Sequence, residues 1–295
     1  MILEYINKEN KFNSIKEVAK SYFHISSHLL TKLKNKKLIY LNDKQAYVSA
    51  KISLNDIVKF DLGYEEETDN IVPVKMDLDI IYEDDSLLII NKPPFMTVHP
   101  SQNHFEDSLS NGVKYHFNQI GLKKKIRPVN RLDKNTSGLI VFAKNEYVQE
   151  SLIFQMKTNT FSKKYLAVLD GVPSEKQGTI IAPISRKEGS IMERVIDFDN
   201  GQYAETAYKV LRNSKTLSLV EFSLKTGRTH QIRVHSKYLG CPILGDSLYN
   251  KESSSINRQA LHSYNISFLH PINNSLINIE ISLSDDMKSL VQFMD

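Results

Sequence analysis

The stretch RPVNRLDKNTSGLIVFAKN, residues 127–145, sets Asp133 between Arg131 and Lys134 in a turn-forming segment that runs straight into an apolar strand. An aspartate in a turn commonly bonds its own backbone two residues on and does nothing else. On spacing alone that structural reading of Asp133 is preferred. A second stretch, LKTGRTHQIRVHSKYLGCPILGDSLYN (residues 224–250), shifts the balance by crowding Arg228, His230, Gln231, Arg233 and His235 into eight positions. If Ile232 to Leu239 is helical, Arg228 stands near a helix N-terminus and can pair with a carboxylate. An arginine fork holds a carboxylate ionised and fixed in direction, as a nucleophilic aspartate requires. The bland alternatives are satisfied buried histidines and a phosphate-binding set of arginines.

Several chemistries are disfavoured. His230 and His235 are five apart rather than the four that stacks ligands on one helical face, and no nearby Glu completes a zincin-like pattern, so no metal is expected. Asp133 has no partner acid in its own motif, the nearest strong candidate being Asp246, which weighs against a glycosidase. There is no Gly-rich phosphate loop of either common type.

The chain has 295 residues, 41% of them hydrophobic and 24% charged, an ordinary composition with room for two domains. No apolar run approaches the ~20 residues of a membrane helix, and the first residues lack a secretory layout. The single cysteine, Cys241, excludes an internal disulfide and a thiolate metal site. A cytoplasmic, monomeric protein without membrane contact is expected. Charge is uneven: residues 1–62 hold eleven lysines and six acids, a net of +5 in a chain whose total is +4. That asymmetry suits a nucleic-acid-binding appendage, although on charge alone a solvated lysine-rich surface is the preferred reading.

Ser14 with Glu17 forms a capping-box start, and Ser26 or Ser27 can cap a second helix with Leu29, Leu30 and Leu33 inward and Lys32, Lys34, Lys36 and Lys37 largely outward. LIYLN, AYV and DIVKF read as short strands. Residues 1–62 are thus expected as a small helix-and-hairpin module, 63–78 as a linker, and 79–295 as the main domain. There DIIYE and LLIINKPP form a hairpin, Asn145 caps a helix bearing Val148, Leu152 and Met156, and strands outnumber helices. The expectation is an α+β fold with a mixed, mainly antiparallel sheet.

RLDKNTSGLIVFAKN resembles the catalytic-aspartate motif of the RluA/RluD-type RNA pseudouridine synthases. LLIINKPPFMTVHPS resembles that family's strand-and-proline motif, KKYLAVLDG its tyrosine motif, and KTGRTHQIRVHSKYLGCPILGDSLY its arginine motif. Four motifs in sequence order, from about residue 80 to residue 290, make the resemblance highly specific. Residues 1–62 are similar, more weakly, to the small RNA-binding module named after ribosomal small-subunit protein four, which commonly precedes this catalytic domain.

The resemblance implies isomerisation of uridine to pseudouridine in RNA without a cofactor, on large-subunit ribosomal RNA in preference to transfer RNA. It makes Asp133 the essential carboxylate, which attacks the anomeric carbon, adds to the uracil or abstracts a ribose proton; sequence does not choose among these. Arg228 would pair with Asp133, Arg131 would help extrude the target nucleotide, and Tyr165 would pack on the uracil. Asn130, where the family usually has His, would join His230 and Arg233 in contacting RNA, as would Lys32, Lys34, Lys36 and Lys37 in the module. Two rival readings remain: a non-catalytic RNA-binding or ribosome-assembly factor, and a nucleoside or glycoside hydrolase.

Overall fold

The apolar run after Asp133 is a strand buried at every one of its positions, and so is most of the LLIINK strand. Such continuous apolar runs belong to strands covered on both faces, and what covers each face organises the molecule.

The computed structural model describes residues 1–66, 70–102, 104–292 and 294. Strands β1 (Ile2–Ile6), β2 (Ile39–Leu41), β3 (Lys44–Gln45) and β4 (Ile57–Asp61) form an antiparallel sheet in the order β1-β4-β2-β3. Two helices lie within this unit, α1 (Ile15–Glu17), continued by a π turn over Val18–Tyr22, and α2 (Ser27–Asn35). Ser14 Oγ accepts from Glu17 N at 3.3 Å and Ser26 Oγ from Leu29 N at 3.0 Å, so both caps sit where the sequence puts them. Two details differ from expectation. AYV is not a strand but leads into a turn closed by Ala50 N on Tyr47 O, and the N-terminal residues supply a strand that pairs with β4.

The large sheet contains β5 (Ile80–Glu83), β6 (Leu87–Lys92), β7 (Ser137–Ala143), β8 (Ser162–Asp170), β9 (Gln177–Ile181), β12 (Glu205–Asn213), β13 (Leu217–Leu224), β14 (Leu261–Leu269) and β15 (Leu276–Glu280); β10 (Ile184–Arg186) and β11 (Arg194–Ile196) form a separate hairpin. Its order is β5-β6-β7-β14-β8-β13-β12-β9, with β15 on β14, and the β7–β14 pair is parallel while the others are antiparallel. The fold is α+β with a mixed, mainly antiparallel sheet. Helices α3 (Leu109–Gln119), α4 (Glu146–Lys157), α5 (Gln231–Tyr238) and α6 (Asp285–Val291) flank it. Asn145 Oδ1 accepts from Val148 N at 3.0 Å, capping α4.

Side-chain alternation divides the core. Leu88, Ile90, Ile140 and Phe142 face one apolar cluster with Val113 and Phe117 of α3 and Met287 and Val291 of α6. Leu87, Ile89, Leu139, Val141 and Ala143 face the other, shared with Val148 and Leu152 of α4 and with Leu3, Leu29, Leu33, Val58 and Phe60 of the N-terminal unit. The small unit therefore covers the second face of β6 and β7.

Residues 63–66 are fastened down, unlike a free linker. Lys124 Nζ donates to Leu62 O at 2.8 Å and to Tyr64 O, with its ammonium 4.3 Å from the Tyr64 ring centre, and Arg127 grips Glu66 through Nη1 and Nη2 at 2.6 and 2.8 Å. Lys32, expected to face RNA, is an ion-pair partner of Glu146 at the start of α4 and lies 3.9 Å from Glu66. Buried acids of the neighbouring segments capture this lysine because α2 packs beside α4. Lys36 leans on the Tyr64 ring at 5.4 Å, whereas Lys34 and Lys37 are exposed.

Candidate active site

Asp133 sits in the loop between Arg131 and Thr136, immediately before β7. Thr136 N donates to Asp133 O at 3.0 Å, closing the turn. Buried cations hold its backbone from beneath: Lys92 Nζ donates to Lys134 O at 3.0 Å and Arg258 Nη1 to Asn135 O at 3.1 Å. Arg258 is itself fixed by a two-pronged ion pair to Asp286, at 2.6 and 2.8 Å. At the exit of the loop, Ser137 Oγ bonds His262 Nδ1 at 2.8 Å, while His262 Nε2 bonds Ser282 O at 3.1 Å. Gly138, at φ +112°, lies so close to β14 that a Cβ there would stand 2.2 Å from Ser263 O. Burial, and then Arg258, lower the Lys92 pKa to about 7 against the pull of Asp133. Three carbonyls surround that ammonium, those of Pro93, Met96 and Lys134, one for each N–H.

The partner of Asp133 is Arg233, not Arg228. Arg233 Nη1 donates to Asp133 Oδ2 at 3.2 Å, while its Nε and Nη2 each bond the buried Asp246 at 2.7 Å. Arg228 instead donates its Nε to Tyr203 O at 2.9 Å on the exposed rim. The backbone explains the exchange. Gln231 N bonds Arg228 O at 3.1 Å, and His230 adopts the left-handed conformation, φ 58°, just ahead of α5. The chain thus turns between 228 and 231, and a residue one helical turn further on, at 233, enters the site. Asp246, the candidate second acid, is fully buried and fully engaged by Arg233, so it offers the cavity no free carboxylate.

His230 Nε2 lies 3.8 Å from Asp133 Oδ2, and its Nδ1 is 2.9 Å from Tyr249 OH. Burial, followed by nearby Arg233 and Arg194, outweighs Asp133 and keeps the His230 pKa below its ordinary value. The neighbouring histidine of the motif is different: His235 is fully buried, with Nδ1 on Thr206 Oγ1 at 2.8 Å and Nε2 on Ala182 O at 2.9 Å. Its role is internal bonding.

Tyr165, on β8, is buried and faces the same cavity; burial raises its pKa, so the phenol stays protonated at neutral pH. Arg131 is exposed at the mouth. Asn130 corrects another expectation. Its Nδ2 donates to Leu139 O at 3.1 Å and its Oδ1 accepts from Val141 N at 2.9 Å, so although Asn130 borders the cavity its amide is engaged in the backbone bonding of β7. An uncharged amide supplies one donor and one acceptor side by side, as this strand position demands.

Together Asp133, Arg131, Tyr165, His230, Arg233 and Arg228 line a cavity of about 710 Å³. A carboxylate is fixed in direction by an arginine at its floor, beside a protonated phenol, under a cationic mouth. Such a site can bind a polyanion and present a fixed carboxylate to a sugar or base. Arg258 lies outside every motif, and Lys92, Asp246 and Tyr249, although they stand within motif stretches, carry no sequence mark of the bonds they make here. For Arg233 one signal exists: in QIRVHS the helix is buried from Gln231 to Ser236, and a buried arginine there requires a carboxylate partner.

A family model described as RNA pseudouridylate synthase matches residues 86–238. The uncharacterized RNA pseudouridine synthase YhcT of Bacillus subtilis is 37% identical over 287 residues, 97% of this chain and 94% of that protein. Ribosomal large subunit pseudouridine synthase D of Neisseria meningitidis is 35% identical over 269 residues, covering 87% of this chain and 71% of that one. Among solved structures, human RNA pseudouridylate synthase domain containing 4 superposes with a TM-score of 0.61 at 26% identity, over 73% of this chain and 93% of its own.

Proposed function

Because the chain belongs to the RNA pseudouridylate synthase family, we propose that its RNA is large-subunit ribosomal RNA and that Asp133 is the essential carboxylate of the isomerisation. The chain is an RNA pseudouridine synthase: it detaches a uracil from its ribose, turns it and rejoins it through carbon. The choice of RNA is supported by relatives named for the ribosomal large subunit. The assignment of Asp133 rests on one observation, its carboxylate held 3.2 Å from Arg233 in the wall of the cavity. An arginine there fixes the direction of the carboxylate, which nucleophilic attack and proton abstraction both need.

The other residues follow from their positions. Tyr165 supplies a flat, buried face for the uracil and a proton that burial keeps on its oxygen. Arg131, at the mouth, takes the space vacated by the extruded nucleotide, an extrusion costing a few kcal/mol that contacts with the protein offset. Arg228 bonds RNA at the rim, and residues 1–62 act as an RNA-binding module through Lys34 and Lys37. Among the described residues no helix is long and apolar enough to cross a membrane.

The test uses ribosomal and transfer RNA from cells lacking this gene, treated with the protein or with its Asp133→Ala variant, and mapped for pseudouridine at nucleotide resolution. New sites in large-subunit rRNA with the wild type and none with the variant are expected. New sites confined to tRNA would reassign the substrate, and sites made by the variant would remove Asp133 from the chemistry.

A further inference from the structure

Lys163 precedes Tyr165 by two positions on β8, so their side chains share one face of the sheet, roughly 7 Å apart at ~3.3 Å per residue. Both line the cavity that holds Asp133. The other cations of that cavity are accounted for. Arg233 is bound to Asp133 and Asp246, Lys225 to Glu205 and Arg228 to Tyr203 O, while Arg131 and Lys157 are exposed to water. Lys163 is neither exposed nor bonded: among the described residues no hydrogen bond or ion pair reaches its ammonium, which lies beside Gly227 on the opposite wall.

A cation withdrawn from water without a partner costs free energy, and folds keep such groups where a ligand supplies the missing charge. Burial alone lowers the Lys163 pKa, with no carboxylate contributing, so Asp133 is not its counter-ion. Among the described residues Asp133 is in fact the only acidic one lining the cavity.

We propose that Lys163 is a phosphate-binding residue that grips a backbone phosphate adjoining the flipped uridine while Tyr165 holds the base. The ligand must be anionic, and RNA carries its anions only on phosphate. The i, i+2 spacing matches one nucleotide laid along β8, with its base on Tyr165 and its own phosphate over Lys163. This placement rests on Asp133 and Tyr165 forming the uridine site. Lys163 thereby sets the depth to which the nucleotide enters and helps hold the uridine over Asp133.

The test uses the full chain and a synthetic RNA hairpin carrying the mapped target uridine. Lys163→Met removes the charge and keeps the length, whereas Lys163→Arg keeps the charge. Loss of a desolvated, unpaired charge predicts that Lys163→Met melts at or above the wild-type temperature. A clear drop would mean that the ammonium has a structural partner, overturning the proposal. Hairpin affinity should fall at least about tenfold in Lys163→Met, with a log–log salt slope shallower by roughly 0.7–0.9, and should be largely kept in Lys163→Arg. A neutral methylphosphonate at one phosphate beside the uridine should weaken the wild type about as much, yet scarcely affect Lys163→Met. If methylphosphonates at both flanking positions weaken the two proteins equally, Lys163 contacts no phosphate there. Binding is read independently of isomerisation. A wild type that binds the hairpin but leaves its uridine unchanged would therefore contradict the proposed substrate and not the phosphate contact.

Discussion

Two clusters of buried arginine and carboxylate, built from the same parts, do different work. At the junction with the N-terminal unit, Arg127 turns both Nη atoms on Glu66, whose side chain is only 5% exposed. In the active site Arg233 makes its two shortest bonds to Asp246 and a single longer one to Asp133, whose side chain keeps 30% exposure. A carboxylate whose lone pairs are all engaged is a fastener. One held by a single bond at 3.2 Å, with its other oxygen unbonded among the described residues, is aimed and still free to react. Charge pairing alone does not mark an active site; the unspent oxygen does.

The largest effect should come from breaking the arginine that serves both acids. Arg233→Met leaves the fully buried Asp246 without its partner, which costs about 3–5 kcal/mol. It also frees Asp133 to rotate, and kcat/KM should fall by at least about 100-fold. Arg228→Met, at the rim, should change stability by no more than about 0.5 kcal/mol. Urea unfolding and single-turnover isomerisation read the two quantities. Equal losses in both variants would show that the pairing of Asp133 with Arg233 does not carry the site.

The same contrast explains what can be read from sequence. Asp133 and Tyr165 are singled out by the resemblance of their motifs and not by pattern, since spacing alone reads them as a turn residue and a strand aromatic, whereas the two-sided burial of β6 and β7 is written in LLIINK and GLIVFA. The choice between Arg228 and Arg233 is not legible, because it turns on one backbone residue, His230 at φ 58°, and a non-glycine in that conformation has no reliable sequence mark. Asn130 borders the cavity, and only the structure shows that its amide is engaged by β7. Lys32 looks like a surface lysine until α2 is set beside Glu146. The strand β1 is hidden because its partner β4 lies some fifty residues away, and pairing at that range leaves no local signature.

Acid should weaken the catalytic half through its buried histidines, of which His262 has a share that can be sized. Burial, and then Arg258, lower His262 to about 4 in the folded chain, against an ordinary value near 6.5. Between these values the unfolded chain binds a proton that the folded one refuses, so stability falls as pH drops through that window. The loss should be on the order of 3 kcal/mol by pH 4, and His262→Gln should remove most of that slope. Denaturant unfolding at pH 7.5, 6, 5 and 4 measures it. An unchanged slope in the variant would transfer the acid sensitivity to other groups.

A smaller loss, about 2–3 kcal/mol, is expected for Glu66→Gln, which leaves Arg127 one neutral acceptor in place of a charged fork and turns an amide N–H2 toward its other N–H. Because Glu66 lies outside the cavity lining, single-turnover rate at saturating RNA should stay within about twofold of wild type in the folded fraction. A rate that falls in step with stability would make the junction part of the active site and collapse the distinction between the two clusters.

The smallest effect separates the lysines of α2 and of the turn that follows it. Lys34 and Lys37 are exposed, and no ion pair is formed by either among the described residues, whereas Lys32 is tied to Glu146. Replacing Lys34 and Lys37 together by Ala should therefore leave stability within about 0.5 kcal/mol. It should reduce the log–log salt slope of RNA binding by about 1–2, one counter-ion for each phosphate that a lysine no longer neutralises. Lys32→Ala should behave in the opposite sense, lowering stability while leaving the slope unchanged, because its charge is already spent inside the protein. If all three lysines alter the slope alike, the bond from Lys32 to Glu146 opens when RNA binds, and the junction is a switch rather than a fastener.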